Sequence, residues 1–190
     1  LFPWDLFLIF GGGLYGGRSY AYLQGFFQQV GAELLEADVP DDLYDRMTEL
    51  AATVPEGSDG LRCEPFFTGS RIDPGLRASF SGLSPDNFTP AHFARALLEG
   101  MADGFVAFFE QMEPVVGKPP LLVGAGNGVR QNRLLAQILA RRFEKTLLIP
   151  SHTEEAAVGA AVAASVGLGI FGDLETAAAA LLDYADAVEP

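Results

Sequence analysis

Between Val123 and Val129 the chain reads Gly124, Ala125, Gly126, Asn127 and Gly128, a run with almost no side-chain bulk. Residues of this kind do their chemistry with the backbone. Bare N–H groups point into the turn, and no Cβ keeps a flat base or a phosphate at a distance. Leu121, Leu122 and Val123 precede the run with strand character, and a helix follows it, so the order is strand, glycine turn, helix, an arrangement suited to receiving a nucleotide. The same residues also suit a plain tight connection in an α/β domain. A second glycine cluster, Gly11-x-Gly13-x-x-Gly16, matches the spacing of a dinucleotide fingerprint between an apolar strand, Leu6 to Phe10, and a helix starting near Arg18. An NAD-binding unit would next need a strand ending in an acid for the ribose, and Leu34 to Pro40 offers only a two-residue apolar run before a proline.

Other chemistry-bearing residues are scattered. Arg71, Asp73 and Arg77 could hold an anion or could be local ion pairs pinning an irregular loop. His92 stands without a second ligand at metal spacing, which favours a surface or capping role. His152 lies where it could touch a ligand or pack at a helix cap. Asp38, Asp41, Asp42 and Asp45 sit at near-helical spacing and read as a solvated face rather than a proton relay. Neither a Gly-x-x-x-x-Gly-Lys-Ser/Thr loop nor a Gly-x-Ser-x-Gly elbow occurs.

The elements that position these residues follow from periodicity. Leu134, Leu135, Ile138, Leu139 and Phe143 mark one buried face of the helix after the glycine turn, with Arg141, Arg142 and Lys145 near its C-terminal end. Earlier, Tyr22, Leu23, Phe26, Phe27 and Val30 suggest a stripe on a helix that Gly31 ends, and Asp41 or Asp42 is placed to cap a helix with Leu43, Met47 and Leu50 inward. Leu61 to Phe67 is extended, and residues 68–90 read as a long Gly/Pro/Ser/Asp-rich loop. A long helix should run from Thr89 to about Met112, ended by Pro114, its small residues Ala96, Gly100, Ala102 and Gly104 admitting a close neighbour. Thr146 to Ile149 is a short strand, Ser151-x-x-Glu154 has capping-box spacing, and the small-residue helix beyond it needs a partner at short range. Asp173 opens a last, peripheral helix over 173–190.

Composition narrows the function classes. With 190 residues, 49% of them hydrophobic, the chain can bury a sizeable core. A net charge of -13 argues against nucleic acid or an anionic membrane as partner. Cys63 is the single cysteine, so the chain holds no internal disulfide and no cysteine-based metal site. The uncharged run Ala156 to Gly172 is short of the roughly 20 strongly apolar residues a bilayer span needs. An acidic cytoplasmic enzyme domain, cut from a longer protein, is the expectation.

Several segments, in order, resemble the C-terminal half of the FGGY carbohydrate kinases, members of the actin-like ATPase superfamily. Gly12 to Phe27 resembles the family's paired glycines leading into an aromatic-rich helix. Phe66-Phe67-Thr68-Gly69-Ser70-Arg71 with Asp73-Pro74 and Gly82-Leu83 resembles its loop of the type Pro-Tyr-Leu-x-Gly-Glu-Arg, Asp-Pro, Gly-Leu. Arg95-Ala96-Leu97-Leu98-Glu99-Gly100 is similar to its Arg-Ala-x-x-Glu-Gly helix. Gly124-Ala125-Gly126 with Asn132 and Gln137 resembles its adenine loop, and Glu155-Ala156-Ala157-Val158-Gly159-Ala160-Ala161 its small-residue helix. The unit Leu121 to Gln137 resembles the sedoheptulose and pentulose kinase branch. Ser70 departs from the family's glutamate.

The resemblance implies an α/β, ribonuclease H-like fold with a mixed sheet and helices on both faces, forming one nucleotide-binding domain over 1–190. It implies ATP with Mg2+ as cofactors and a sugar as substrate. Gly124, Ala125 and Gly126 would admit the adenine, and Asn127 or Asn132 would offer it an amide donor and acceptor. The family's catalytic aspartate and Gly-Thr-Ser phosphate loop belong upstream of the segment that Leu6 resembles, so the partner implied is a missing N-terminal kinase domain. A non-catalytic actin-like module, associating with itself through a patch near Trp4, Phe7 and Phe10, is the alternative.

Overall fold

The computed structural model describes Ile9 and residues 16–190. Ile9 apart, the strand expected over Leu6 to Phe10, the glycines Gly11 and Gly13 of the dinucleotide spacing, and the Trp4, Phe7 and Phe10 patch lie outside the described residues. The single domain read over 1–190 packs as two compact units divided between Pro119 and Pro120.

In the first unit, α1 (Gly17–Gln29), α2 (Leu43–Ala52) and the hairpin β1 (Arg62–Glu64) and β2 (Ser79–Ser81) surround the long helix α3 (Pro90–Val116). Thr89 caps α3 by accepting from the N–H of His92 at 3.4 Å, with Pro90 at its first position. The helix does not end at Pro114. It carries that proline inside its last turn and stops at Gly117, whose φ of +69° suits glycine. Ala94, Leu97, Leu98, Met101 and Ala102 form the core-facing surface of α3. At Gly100 the Cys63 carbonyl of β1 comes so close that no Cβ would fit, which is the close neighbour the small residues admit.

Four expectations for the first unit need correction. The inward face of α1 is Ser19, Tyr20 and Leu23, not Tyr22 and Phe26, which are 42% and 57% exposed. Tyr20 wins because its ring meets Tyr44 edge-on at 4.9 Å and its hydroxyl lies 3.3 Å from Thr48 Oγ1. Gly31 does not end the helix either, since a wider π-type turn, Val30–Leu34, continues it. On α2, Met47 and Ala51 face inward while Leu50 turns out, and Asp42 stands at the N-cap position but turns its carboxylate to Arg46 at 2.8 Å, where that carboxylate accepts from no backbone N–H. The irregular segment 68–90 contains β2, which pairs antiparallel with β1 in the register Cys63↔Phe80. Buried Asn87 holds that segment by donating to Asp59 O and Gly82 O and accepting from Ser84 N.

The second unit is a three-stranded mixed sheet in the order β3 (Leu122–Val123), β4 (Leu147–Pro150), β5 (Tyr184–Val188), with β3 parallel and β5 antiparallel to β4. A short helix α4 (Asn127–Gln131) precedes α5 (Arg133–Phe143), which packs on β4 and β5 through Leu134, Leu135, Ile138 and Leu139. The stripe read from periodicity is thus the buried face. After β4 come α6 (Glu155–Gly167) and α7 (Leu174–Leu181), packed on each other. Asp173 caps α7 by accepting from Thr176 N at 2.7 Å. The peripheral helix read over 173–190 ends at Leu181, and the chain returns as β5 because Val188 and its neighbours complete the open edge of β4. Ser151 and Glu154 form no capping box: α6 begins at Glu155 with Glu154, not Ser151, at its N-cap position, and the Ser151 hydroxyl donates to Asp183 O at 3.2 Å. Beyond Val162 and Ser165, much of the surface of α6 is exposed, so only one face has the short-range partner its small residues permit.

Candidate functional site

The parallel strands β3 and β4 both end at one pocket of about 270 Å³, close to the lower end of the range of about 300–1,000 Å³ usual for ligand sites. The carboxyl ends of parallel strands are where open α/β sheets receive ligands. Val123 and Pro150 line it from the strand ends, Ala125 from the glycine turn, and Glu155, Val158 and Gly159 from the start of α6. Its walls are mainly apolar. Tyr184 and Leu182 close a further side.

Each residue of the glycine turn has a distinct reason to be there. Gly124 is buried and donates to Leu148 O at 2.9 Å, extending the ladder past β3. A Cβ at Gly124 would lie 2.9 Å from Val129 Cγ1 and 3.1 Å from Leu147 Cδ1, so its emptiness is taken up by the protein itself. Ala125 and Asn127 are exposed. Gly126 has φ of +92°, and open space surrounds the position a Cβ would take. That conformation disfavours any side-chain-bearing residue. Gly128 lies within α4 and not in the turn.

Asn132 is brought near these residues in sequence but has a different task. It is fully buried, breaks the path between α4 and α5 with φ of -115° and ψ of 91°, and its Oδ1 accepts from Leu135 N at 2.9 Å. The amide that the resemblance offers to a base is a helix cap here, so of the two asparagines Asn127 is the one exposed at the loop. Its Oδ1 accepts from Arg130 Nη1 at 3.3 Å.

Sequence reasoning passed over Arg130, and took Glu155 only as the first residue of the small-residue helix. Arg130 Nη2 donates to His152 O at 2.5 Å and to Glu155 Oε1, and Glu155 Oε1 also accepts from Gly126 N at 3.2 Å. Because the partners are 25 residues apart, no local spacing signals the contact. The N–H of Glu155 itself, that of Gly126 and the Arg130 guanidinium hold the Glu155 carboxyl below its ordinary pKa, against the opposing effect of burial. Arg130 Nε is buried without a hydrogen-bond partner. His152 lines the pocket, its Nε2 3.1 Å from Leu181 O.

The remaining candidates are structural. Arg77 donates to Pro74 O and Leu76 O, and Asp73 accepts from Gly75 N, so these two shape their own loop. His92 lies between Thr89 Oγ1 at 2.7 Å and Asp59 Oδ2 at 3.0 Å, fastening the start of α3. Asp42 and Asp45 line an open surface groove on α2. Among the described residues no cluster of three His, Cys, Asp or Glu could hold a metal, and no helix is long and apolar enough to cross a membrane.

Residues 5–168 match the family model described as the FGGY family of carbohydrate kinases, C-terminal domain. A gluconokinase of Bacillus subtilis is 30% identical over 124 residues, covering 64% of this chain and 24% of that protein. A xylulose kinase of Staphylococcus epidermidis is 29% identical over 153 residues, covering 79% of this chain and 30% of that protein. Among solved structures, xylulose kinase from Rhodospirillum rubrum superposes with a TM-score of 0.75 at 28% identity, over 92% of this chain and 33% of that one. The chain therefore spans about a quarter to a third of the length of the relatives it matches.

Proposed function

Because the chain belongs to the FGGY family of carbohydrate kinases, as its C-terminal domain, we propose that it forms the adenine-nucleotide half of an ATP-dependent sugar kinase acting in the cytoplasm. Its fold is that of the actin-like ATPases, α/β with a mixed sheet. The observation that carries the reading is the pocket at the ends of β3 and β4, walled by Ala125 of the glycine turn and by Val158 and Gly159 of α6.

The electrostatics favour one end of a nucleotide over the other. Among the described residues that line the pocket no Lys or Arg awaits a phosphate, which would meet Asp183 and a Glu155 already paired with Arg130, in a chain of net charge -13. A neutral purine would meet apolar walls, and its exocyclic amine would find carbonyl and carboxylate acceptors. We therefore orient the base into the pocket and the phosphates away from it, with Gly124, Ala125 and Gly126 beside the base and Asn127 offering its exposed amide. Asn132 supports the seat from beneath as a cap. Mg2+ fits this scheme as a companion of the phosphates, since such ions keep several waters and need few protein ligands. Bound there it would supply charge neutralisation for phosphoryl transfer.

Glu155 is committed to Arg130 and Gly126, so the proton of the sugar hydroxyl is taken elsewhere, by an N-terminal kinase domain that also reads the sugar. The domain described here then contributes binding and orientation of the phosphoryl donor. Titrating the purified chain with adenosine, ADP and MgATP by calorimetry tests the reading. All three should compete for one site, and Ala125→Trp, which fills the pocket, should abolish binding in a folded protein. Binding of NADH that ATP does not displace, or adenosine binding unaffected by Ala125→Trp, would overturn it. No sugar should be phosphorylated by this chain alone.

A further inference from the structure

The glycine turn is shaped from outside. Gly126 enters α4 with φ of +92°, and its N–H donates to Glu155 Oε1. The same oxygen accepts from Arg130 Nη2, which also reaches His152 O, while Nη1 reaches Asn127 Oδ1. One guanidinium on α4 thus joins the turn after β3, the turn after β4 and the first residue of α6. Those are the segments that contribute Ala125, His152, Val158 and Gly159 to the pocket.

We propose that Arg130 and Glu155 form a clamp that fixes the width of the nucleotide seat, by holding the backbone of the glycine turn at a set separation from α6. The inference rests on the nucleotide reading of that pocket. Both are positioning residues: they act through the Gly126 N–H and the His152 carbonyl. An ion pair that served stability alone would need only opposite charges. Here one carboxylate oxygen serves a backbone N–H and a guanidinium together, and two N–H groups of one planar fork serve a carboxylate and Asn127, with His152 O on the same nitrogen. Lysine offers no such fork.

The test uses the whole chain, with ¹H–¹⁵N spectra and adenosine and ADP as probes. Glu155→Ala should weaken ADP binding about tenfold, the scale of a lost hydrogen bond to a charged group. It should also shift the Gly126 amide signal in the absence of nucleotide. Arg130→Lys, which keeps the charge, should bind as poorly as Arg130→Gln, whereas Glu155→Gln, which keeps an acceptor for Gly126, should fall between wild type and Glu155→Ala. Arg133→Gln removes an equal charge from the exposed pair with Asp186 and should leave ADP binding unchanged. Full rescue by Arg130→Lys, or Glu155→Ala that folds and binds ADP as wild type does, would overturn the clamp and leave the nucleotide reading standing. A wild-type chain whose spectra do not respond to adenosine or ADP would overturn the nucleotide reading, and the clamp's assigned use with it.

Discussion

Arg95 Nε donates to Glu99 Oε1 at 2.7 Å, one turn along α3, and both side chains are more than nine-tenths buried. The carboxylate is satisfied further by Gly57 N at 3.1 Å and Ser58 Oγ at 3.3 Å. It thereby fixes a turn in which Gly57, Ser58, Asp59 and Gly60 all have positive φ. A buried pair of this kind need not add net stability, but removing one partner leaves the other charge stranded. Glu99→Leu should therefore cost about 3–5 kcal/mol, and Glu99→Gln, whose carbonyl oxygen can still accept from Gly57 N while its amide nitrogen donates to Ser58 Oγ, should cost less. Urea unfolding of the two variants measures the difference. Equal losses would mean that the turn does not depend on the carboxyl oxygens.

Two glycines of the resembling motifs should respond with opposite sign to the same substitution. At Gly100 a methyl group would collide with the Cys63 carbonyl, a backbone atom that cannot swing aside, so Gly100→Ala should destabilise by several kcal/mol, on the order of other overpacking changes. At Gly159 nothing lies within 4 Å, the residue is exposed, and α6 is helical on either side. Gly159→Ala should stabilise by about 0.5–1 kcal/mol. Thermal melts of the pair decide it, with one midpoint falling and the other rising. Because Gly159 also lines the pocket, ADP binding by that variant gives a second readout.

What could be read from the chain before its structure was the part set by local period. Leu134, Leu135, Ile138 and Leu139 recur on one face of a helix whose opposite face carries Arg133, Gln137 and Arg141, so the buried side was unambiguous. The helix Gly17–Gln29 carries aromatic residues all round, and its inward face was settled by a partner, Tyr44, that periodicity cannot see. Pro114 was read as a terminator because proline lacks an N–H, yet a last turn tolerates it. At the site, the empty backbone of residues 124–126 was visible as composition. That Gly124 is filled by Val129 and Leu147 while Gly126 is open, and that Arg130 meets Glu155, depended on chain crossings from β3 to α6. Glycine spacing tells where the backbone is bare, and only packing tells which bare position faces a pocket.

Cys63 gives a prediction in pH. Burial, and secondarily the charge of Glu64, push its thiol from an ordinary 9.0 up to about 12. Between those values the unfolded chain has released the proton and the folded chain has kept it. The folded state then binds more protons, and stability falls as pH rises, by up to about 1.4 kcal/mol per pH unit from this group. Burial also raises the Tyr20 hydroxyl, which extends the loss to higher pH. Below pH 9 the thiol should be inert to iodoacetamide in native protein. Cys63→Ala should flatten the decline of stability between pH 9 and 11, measured by urea midpoints at each pH. Rapid alkylation at pH 8 without unfolding would contradict the burial argument.

The two asparagines of the loop should separate stability from binding. Asn132 is fully buried and caps α5, and replacing such a cap with alanine costs about 0.5–2 kcal/mol. Asn127 is exposed and makes one long side-chain contact, to Arg130. Asn127→Ala should move the unfolding midpoint by no more than an ordinary surface change, about 0.5 kcal/mol. If its amide meets the base, however, that variant should lose several-fold in adenosine affinity, while Asn132→Asp, which keeps the capping oxygen, should bind nearly as well as wild type. Calorimetric titration of folded variants separates the two roles. Equal affinity for wild type and Asn127→Ala would remove Asn127 from the seat and leave the glycine backbone as its polar lining.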